Sequence, residues 1–136
     1  MSATDGDLRR LFKSHVRGHW ISIESGSTSG GIPDSNFCVE GTEGWVEFKQ
    51  TRAWAVSFRP TQVSLIANRV KAGGRVWIAV RRWKNVADED ALWVMHGREV
   101  VRLANGTLRD CLPYVHIWTG GPRNWDWGGV ARLLVS

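Results

Sequence analysis

The order of apolar and polar residues predicts a helix, a short strand and a loop at the beginning of the chain. Between Asp7 and His19 apolar residues recur at helical spacing, so we expect an amphipathic helix that ends near Gly18. The apolar run 20–23 is typical of a short strand, and the glycine and serine residues within 25–31 predict a flexible loop.

Two further strands and a second helix are predicted after this loop. Segments 37–39 and 45–50 have the composition of strands, and the EGTEG stretch at 40–44 between them predicts a hairpin turn. Pro60 suits the first position of a helix, because its fixed φ matches the helical backbone. Apolar residues then recur at helical intervals until Gly73 ends the pattern.

The next apolar run, 76–80, predicts a buried strand. A strand that follows a helix, after a meander of strands, favours a mixed α/β sheet with a right-handed crossover. The second half of the chain is predicted to contain a strand at 92–95, a short helix at 99–103, a strand at 114–118 and a loop at 120–129.

Length and composition narrow the class of protein. A chain of 136 residues is long enough for one domain with a hydrophobic core, so we expect a single domain, 1–136. Hydrophobic residues make up 43% and charged residues 23%, as in folded globular proteins. Cys38 and Cys111 match no zinc or redox spacing, and we expect both to be buried thiols.

Apolar runs and charge indicate the compartment and the partner. No stretch approaches the roughly 20 apolar residues of a membrane-spanning helix, and the first residues lack the apolar segment of a signal peptide. We therefore expect a soluble cytoplasmic protein with no membrane partner. The net charge of +5 favours a polyanionic partner such as nucleic acid, because basic side chains release counterions from it.

A candidate metal-binding site is indicated by the charged residues in two short blocks, Pro33-Asp34 and Glu47-Phe48-Lys49. Glu47 and Lys49 are alternate residues of a predicted strand, so both side chains project from one face while Phe48 points into the core. A hard cation such as Mg²⁺ prefers oxygen ligands, usually one or two carboxylates completed by water and substrate phosphate. Asp34 and Glu47 can supply the carboxylates, and the backbone carbonyl of Phe48 is a possible third ligand.

Lys49 would lie beside such a metal ion. A lysine there can hold the attacking water and offset the negative charge that develops on the phosphorus centre, while the ion acts as a Lewis acid. The reaction indicated is in-line hydrolysis of a phosphodiester.

The two blocks resemble the active-site pattern of the PD-(D/E)xK nucleases, which have the restriction-endonuclease-like fold. The likeness covers roughly Trp20 to Val80. Within that superfamily the chain is most similar to small phage nucleases of the Holliday-junction-resolvase-like and VRR-NUC-like types. Those groups commonly show a GxPD block, an ExK strand and a helix that carries a glutamine.

This resemblance implies an α/β fold with an αβββαβ core over about 5–82, a mixed central sheet and a small C-terminal extension over 83–136. It implies that Gln62, on the helix after the ExK strand, and Glu24, upstream of the Pro-Asp block, complete the catalytic site. It also implies Mg²⁺, with Mn²⁺ as a substitute, no organic cofactor, and DNA as the substrate, with branched or Holliday-junction DNA favoured.

One domain supplies one active site, and cutting two strands symmetrically needs two sites, so we expect a homodimer. Basic residues near the site and on the first helix are expected to contact DNA phosphates. These residues are Arg52, Arg59, Lys13 and Arg17.

Nine tryptophans are many for a chain of this length, and their rings can stack on unpaired bases. Those within strand patterns are expected to be buried: Trp45, Trp77 and Trp93. Those in predicted loops are expected to be exposed: Trp54, Trp125 and Trp127.

Two other functions fit the same residues. A sequence-selective homing or nicking endonuclease would use the same site with a different DNA surface. A nucleic-acid-binding module that has lost catalysis is the second alternative, and the presence of Asp34, Glu47 and Lys49 together disfavours it.

Overall fold

The computed structural model describes residues 5–23, 30–84 and 89–136, which form an α/β fold around one mixed six-stranded sheet. This confirms the predicted α/β class. The elements are α1 (Asp5–His15), β1 (His19–Ser22), β2 (Ser35–Val39), β3 (Thr42–Thr51), α2 (Pro60–Lys71), β4 (Val76–Arg82), β5 (Ala91–His96), α3 (Val100–Asn105), β6 (Val115–Trp118) and α4 (Trp127–Leu134). Short 3₁₀ turns at Gly97–Glu99 and Leu108–Cys111 flank α3.

The strands are arranged in the sheet in chain order, from β1 to β6. Strands β3 and β4 are parallel, and α2 connects them, whereas the other neighbouring pairs are antiparallel. Strands β5 and β6 come from the second half of the chain and continue the same sheet. The part of the chain beyond the family resemblance therefore adds to the sheet that carries the candidate site.

Two apolar layers cover the two faces of the sheet. Successive residues of β3 face different layers, because successive side chains on a strand point to opposite faces of the sheet. Val46 and Phe48 pack with α1 and α4 in the first layer, which also includes Leu8, Phe12, Phe37, Trp77, Val94 and Leu134. The second layer lies between the sheet, α2 and α3 and includes Ile66, Ile78, Val80, Trp93, Met95 and Leu103.

The hairpin between β2 and β3 is tighter than the EGTEG pattern indicates. Val39 pairs with Thr42, so the turn consists of Glu40 and Gly41 alone. Both residues have positive φ, 49° and 77°, as a two-residue turn of the type I′ class requires. Strand β3 therefore begins at Thr42 and is ten residues long.

Two predicted boundaries, one at the end of the first helix and one in the loop at 120–129, are wrong. The first helix ends at His15 rather than near Gly18, and Gly18 packs so closely on β2 that an added Cβ would lie 2.6 Å from the Cys38 carbonyl oxygen. The loop expected over 120–129 runs into a helix that starts at Trp127, where the Asp126 carboxylate accepts a hydrogen bond from the Gly129 amide.

The two cysteines agree in part with the expectation of buried thiols. Both cysteines are free thiols, with Cys111 buried and Cys38 half-buried. Burial raises the pKa of the Cys111 thiol to about 11, so it is protonated near neutral pH. In the described ranges no helix is both long and apolar enough to cross a bilayer.

Phe12 anchors α1 to the sheet and is fully buried. Its ring centroid lies 4.9 Å from that of Phe48 and 5.4 Å from that of Trp127, both at steep edge-to-face angles. We expect Phe12→Ala to lower the free energy of unfolding by about 3–5 kcal/mol, through lost burial and a residual cavity. Urea denaturation measures the change, and a loss below about 1 kcal/mol would contradict this packing.

Candidate active site

The site begins with the two charged residues of β3. Glu47 and Lys49 project toward α2, and Glu47 is 1% exposed although it carries a carboxyl group. Phe48, between them, is buried on the opposite face against Phe12, as the alternation of the strand predicted. A carboxyl group buried this deeply needs polar partners, since desolvation of its charge is costly.

Asp34 reaches the same place from the residue before β2. Strand β2 starts at Ser35, which pairs with Val46, so β3 continues past the end of its neighbour. The Phe48 amide, which lies beyond that end, donates a hydrogen bond of 2.9 Å to Asp34 Oδ2. The Asp34 side chain thus takes the position that another residue of β2 would occupy.

Gly31 allows this loop to approach α2. It has a φ of +85°, which favours glycine, and an added Cβ would lie 2.3 Å from the carbonyl oxygen of Thr61. The block of residues 31–34 therefore packs directly on the first turn of α2. This close approach brings Asp34 and Gln62 to the same end of β3.

Gln62 joins the acidic and basic residues of the site. Its Nε2 donates to Glu47 Oε2 at 3.0 Å, and its Oε1 accepts from Lys49 Nζ at 3.0 Å. The same Oε1 accepts from the backbone amide of Arg59 at 2.9 Å, which caps the start of α2. Gln62 is 7% exposed, so a helix cap and the site share one buried amide.

The Lys49 ammonium group is held between three groups. Besides its bond to Gln62, Nζ lies 3.6 Å from Glu47 Oε2 and 4.7 Å from the centroid of the Phe58 ring. Phe58 was not predicted as a site residue, and nothing in its loop segment distinguishes it in sequence. Lys49 thus has a defined position beside the Glu47 carboxylate.

Burial raises the pKa of the Asp34 carboxyl above its usual value. The amide hydrogen bond from Phe48, the charges of Lys49 and Arg9, and a side-chain hydrogen bond with Glu47 oppose this shift. Arg9, on α1, is a second residue that the sequence did not single out. The Glu47 carboxyl, which hydrogen bonds with that of Asp34, brings a second acidic group to the same place, and a bound cation would offset the charge of both.

These residues fit a divalent cation of the magnesium type. The N–H and C=O groups of one strand residue point to the same side, so the Phe48 carbonyl faces the side from which Asp34 approaches. Two carboxylates and one carbonyl leave several positions for water and phosphate, as Mg²⁺ usually does. The described residues contain no group of three or more His, Cys, Asp and Glu side chains that could hold a metal ion, so a cation held by Asp34 and Glu47 would take its other ligands from the backbone, water and phosphate.

The basic residues predicted to bind nucleic acid lie next to β3 and α2 and on or just after α1. Glu24 lies outside the described residues. Arg59 immediately precedes α2, and Arg52 immediately follows β3, with its guanidinium 4.7 Å from the centroid of the Trp83 ring. Lys13 and Arg17 are exposed on and just after α1.

The burial of several tryptophan side chains differs from the prediction. Trp77 and Trp93 are buried as predicted, but Trp45 is half-buried. Trp125 was expected to be exposed and is 3% exposed, because its ring packs in the first layer and its Nε1 donates to the Asp90 carbonyl at 3.2 Å. Trp54 and Trp127 are half-buried against the two layers.

Comparison with protein-family models and with curated proteins finds no match for the chain. The geometry of the site and the fold therefore carry the functional argument.

We expect Asp34→Asn to make the metal-free protein more stable at neutral pH. Asparagine can accept the Phe48 hydrogen bond without placing a charge in the desolvated pair. Since the folded-state pKa of Asp34 is raised, the wild type loses stability relative to the variant as pH rises from the ordinary value of 3.8 through the folded value. Thermal unfolding in EDTA at several pH values measures this, and a less stable variant at pH 7 would contradict it.

Proposed function

We propose that this protein is a magnesium-dependent endonuclease of the PD-(D/E)xK class that hydrolyses DNA phosphodiester bonds. The observation that carries the proposal is the convergence of Asp34, Glu47, Lys49 and Gln62 on one end of β3. Asp34 contacts the backbone of the ExK segment, and Gln62 bonds both charged side chains of that segment.

The order of elements supports a restriction-endonuclease-like core. Helix α1, strands β1 to β3, helix α2 and strand β4 follow in the order αβββαβ that the resemblance implies. The residues of the proposed site come from the residue before β2, from β3 and from the first turn of α2. Helix α2, which connects the parallel strands β3 and β4, lies over the face that carries Glu47 and Lys49.

In the proposed reaction, the protein side chains hold and orient the reacting groups. Asp34 and Glu47 would hold Mg²⁺, which when bound supplies Lewis acidity and lowers the pKa of water. Lys49 orients the attacking water and balances the negative charge that forms on the phosphate oxygens. Water adds to phosphorus and gives up one proton, the bond from phosphorus to one sugar oxygen breaks, and that oxygen takes up a proton in turn. Gln62 acts as a positioning residue, since it holds Glu47 and Lys49 in register.

We further propose that branched DNA is the preferred substrate and that the active form is a homodimer. The charge of +5 favours binding to the DNA backbone, and exposed Arg52 and Arg59 lie at the two ends of the segment that joins β3 to α2. A homodimer would provide the second active site needed for paired cuts.

Metal-dependent cleavage that requires Glu47 is the direct test. Labelled four-way-junction, flap, linear duplex and single-stranded DNA are incubated with Mg²⁺ or EDTA. We expect Glu47→Gln to reduce cleavage by at least ~10²-fold, the scale on which loss of one transition-state-stabilising group slows an enzyme. Glu43→Gln is the matched control, because Glu43 is an exposed acid on the same strand, and it should retain activity.

Each substrate pattern has a distinct meaning. Preference for junction or flap DNA supports the structure-selective nuclease, whereas cuts at fixed positions in linear duplex indicate a sequence-selective one. Binding without cleavage in Mg²⁺ would leave only a nucleic-acid-binding module and refute the enzymatic proposal.

Magnesium binding should also stabilise the folded protein, which gives a readout independent of cleavage. A ligand at 100 times its Kd adds about 2.7 kcal/mol to the free energy of unfolding. We expect Mg²⁺ to raise the unfolding temperature of the EDTA-treated wild type and to have little effect on Asp34→Asn. Equal shifts in both proteins would show that Mg²⁺ acts elsewhere.

A further inference from the structure

A cavity of about 770 Å³ is lined in part by residues that adjoin the residues of the proposed site in sequence. Pro33 and Thr61, which line it, immediately precede Asp34 and Gln62 in sequence. Trp45 also lines the cavity. It lies two residues before Glu47 on β3, so the two side chains share a face and their Cα atoms are about 7 Å apart. The cavity and the carboxylate pair therefore adjoin on the same face of the sheet.

Apolar side chains form most of the wall. Ile32, Pro33, Trp45, Pro60 and Leu65 contribute to it, and Ile32 is 39% exposed. Ile21, which is 47% exposed, lies in the same cross-strand row as Trp45 through the pairings with Asn36. Apolar surface left in water next to a hydrophilic site is characteristic of a ligand-binding pocket.

Trp45 differs from the other tryptophans in its surroundings. Within the described part of the chain, the other eight indole rings each meet another aromatic ring or a guanidinium group. No such partner is found there for Trp45. Its half-buried indole instead packs against the second apolar layer and lines the cavity.

Polar and basic groups at the edge of the cavity match a nucleotide. Asn68 can form hydrogen bonds with the edge of a base, and the exposed guanidinium of Arg69 can contact a phosphate. An aromatic face, an amide and a guanidinium beside a phosphodiester site are the groups that bind an unpaired nucleotide. These groups match a nucleotide better than an apolar segment of a second copy, because such a segment would give the Arg69 guanidinium no charged partner.

We propose that the cavity is a nucleobase subsite, in which an unpaired base next to the scissile phosphate stacks on Trp45. The inference rests on the proposed nuclease function and specifies its substrate. A paired base in duplex DNA can enter only after it is unstacked and flipped, which costs a few kcal/mol. The subsite therefore favours branched DNA that has an unpaired nucleotide at the cleavage point, as a flap has, and a single strand also supplies such a nucleotide.

The test compares variants of Trp45 on defined oligonucleotides. Binding of single-stranded, flap and blunt duplex DNA is measured by fluorescence anisotropy with Ca²⁺ in place of Mg²⁺, and cleavage is measured with Mg²⁺. We expect Trp45→Ala to weaken binding of single-stranded and flap DNA by roughly ten-fold, the scale for loss of one stacked base. Duplex binding should change less than two-fold, and Trp45→Phe should recover most of the loss.

Two controls separate stacking from general damage. Trp118→Ala removes another half-buried strand indole, which lies on β6, and should leave single-strand binding unchanged. An abasic position next to the cleavage point should lower the affinity of the wild type to that of Trp45→Ala and leave the variant unaffected. Thermal unfolding confirms that each variant is folded.

The outcomes distinguish this inference from the nuclease proposal. Cleavage by the wild type with no effect of Trp45→Ala or of the abasic position would overturn the subsite and leave the nuclease. Trp45-dependent binding of single strands without cleavage would support the subsite and refute the nuclease. A change in oligomeric state on gel filtration, with unchanged DNA binding, would assign the cavity to contact between copies and overturn the subsite.

Discussion

Burial of the Glu47 carboxyl group is the constraint on which the rest of the site depends. Glu47 is 1% exposed, so a charge on its carboxyl group is tolerated only if the protein supplies hydrogen-bond donors or a positive charge. These come from α2 and from Lys49, which is on the same face of β3. Gln62 provides one at 3.0 Å, and Lys49 lies 3.6 Å away. Because Gln62 is in the first turn of α2, the helix must start where Pro60 places it, directly over β3.

The second half of the chain secures the segment that leads from β3 to α2. The Trp54 ring in that segment lies 3.6 Å from the Arg82 guanidinium and 4.0 Å from that of Arg109, measured to the ring centroid. The Leu108 amide also donates to the Trp54 carbonyl at 2.9 Å. Residues beyond the family resemblance thus hold the backbone that positions Phe58 and Gln62, which gives the C-terminal part a structural role in the site.

The site concentrates unfavourable electrostatics that the surrounding core supports. Two contacting carboxyl groups are partly or wholly buried, and desolvation raises the pKa of Asp34. Two apolar layers offset the unfavourable desolvation of these carboxyl groups, one around Phe12 and Phe48 and the other around Ile66 and Ile78. Such local cost is expected where a protein is organised to bind a cation or a substrate rather than to maximise stability.

The sequence by itself determined the elements with strong local signals. Alternation along β3 placed Glu47 and Lys49 on one face, and Pro60 with its helical pattern placed Gln62 in a first helical turn. These features depend on strand and helix periodicity, which is a local property of the backbone. The α/β class followed from the order of the same elements.

Only the tertiary structure decided which residues distant in sequence contact each other. The hydrogen bond from the Phe48 amide to Asp34, the proximity of Arg9 and Phe58, and the burial of Trp125 all join residues distant in sequence or set by packing. The half-exposure of Trp45 arises because α2 leaves part of that sheet face uncovered, which no strand pattern encodes. Periodicity specifies which face a side chain is on, but the neighbours on that face depend on how distant elements pack.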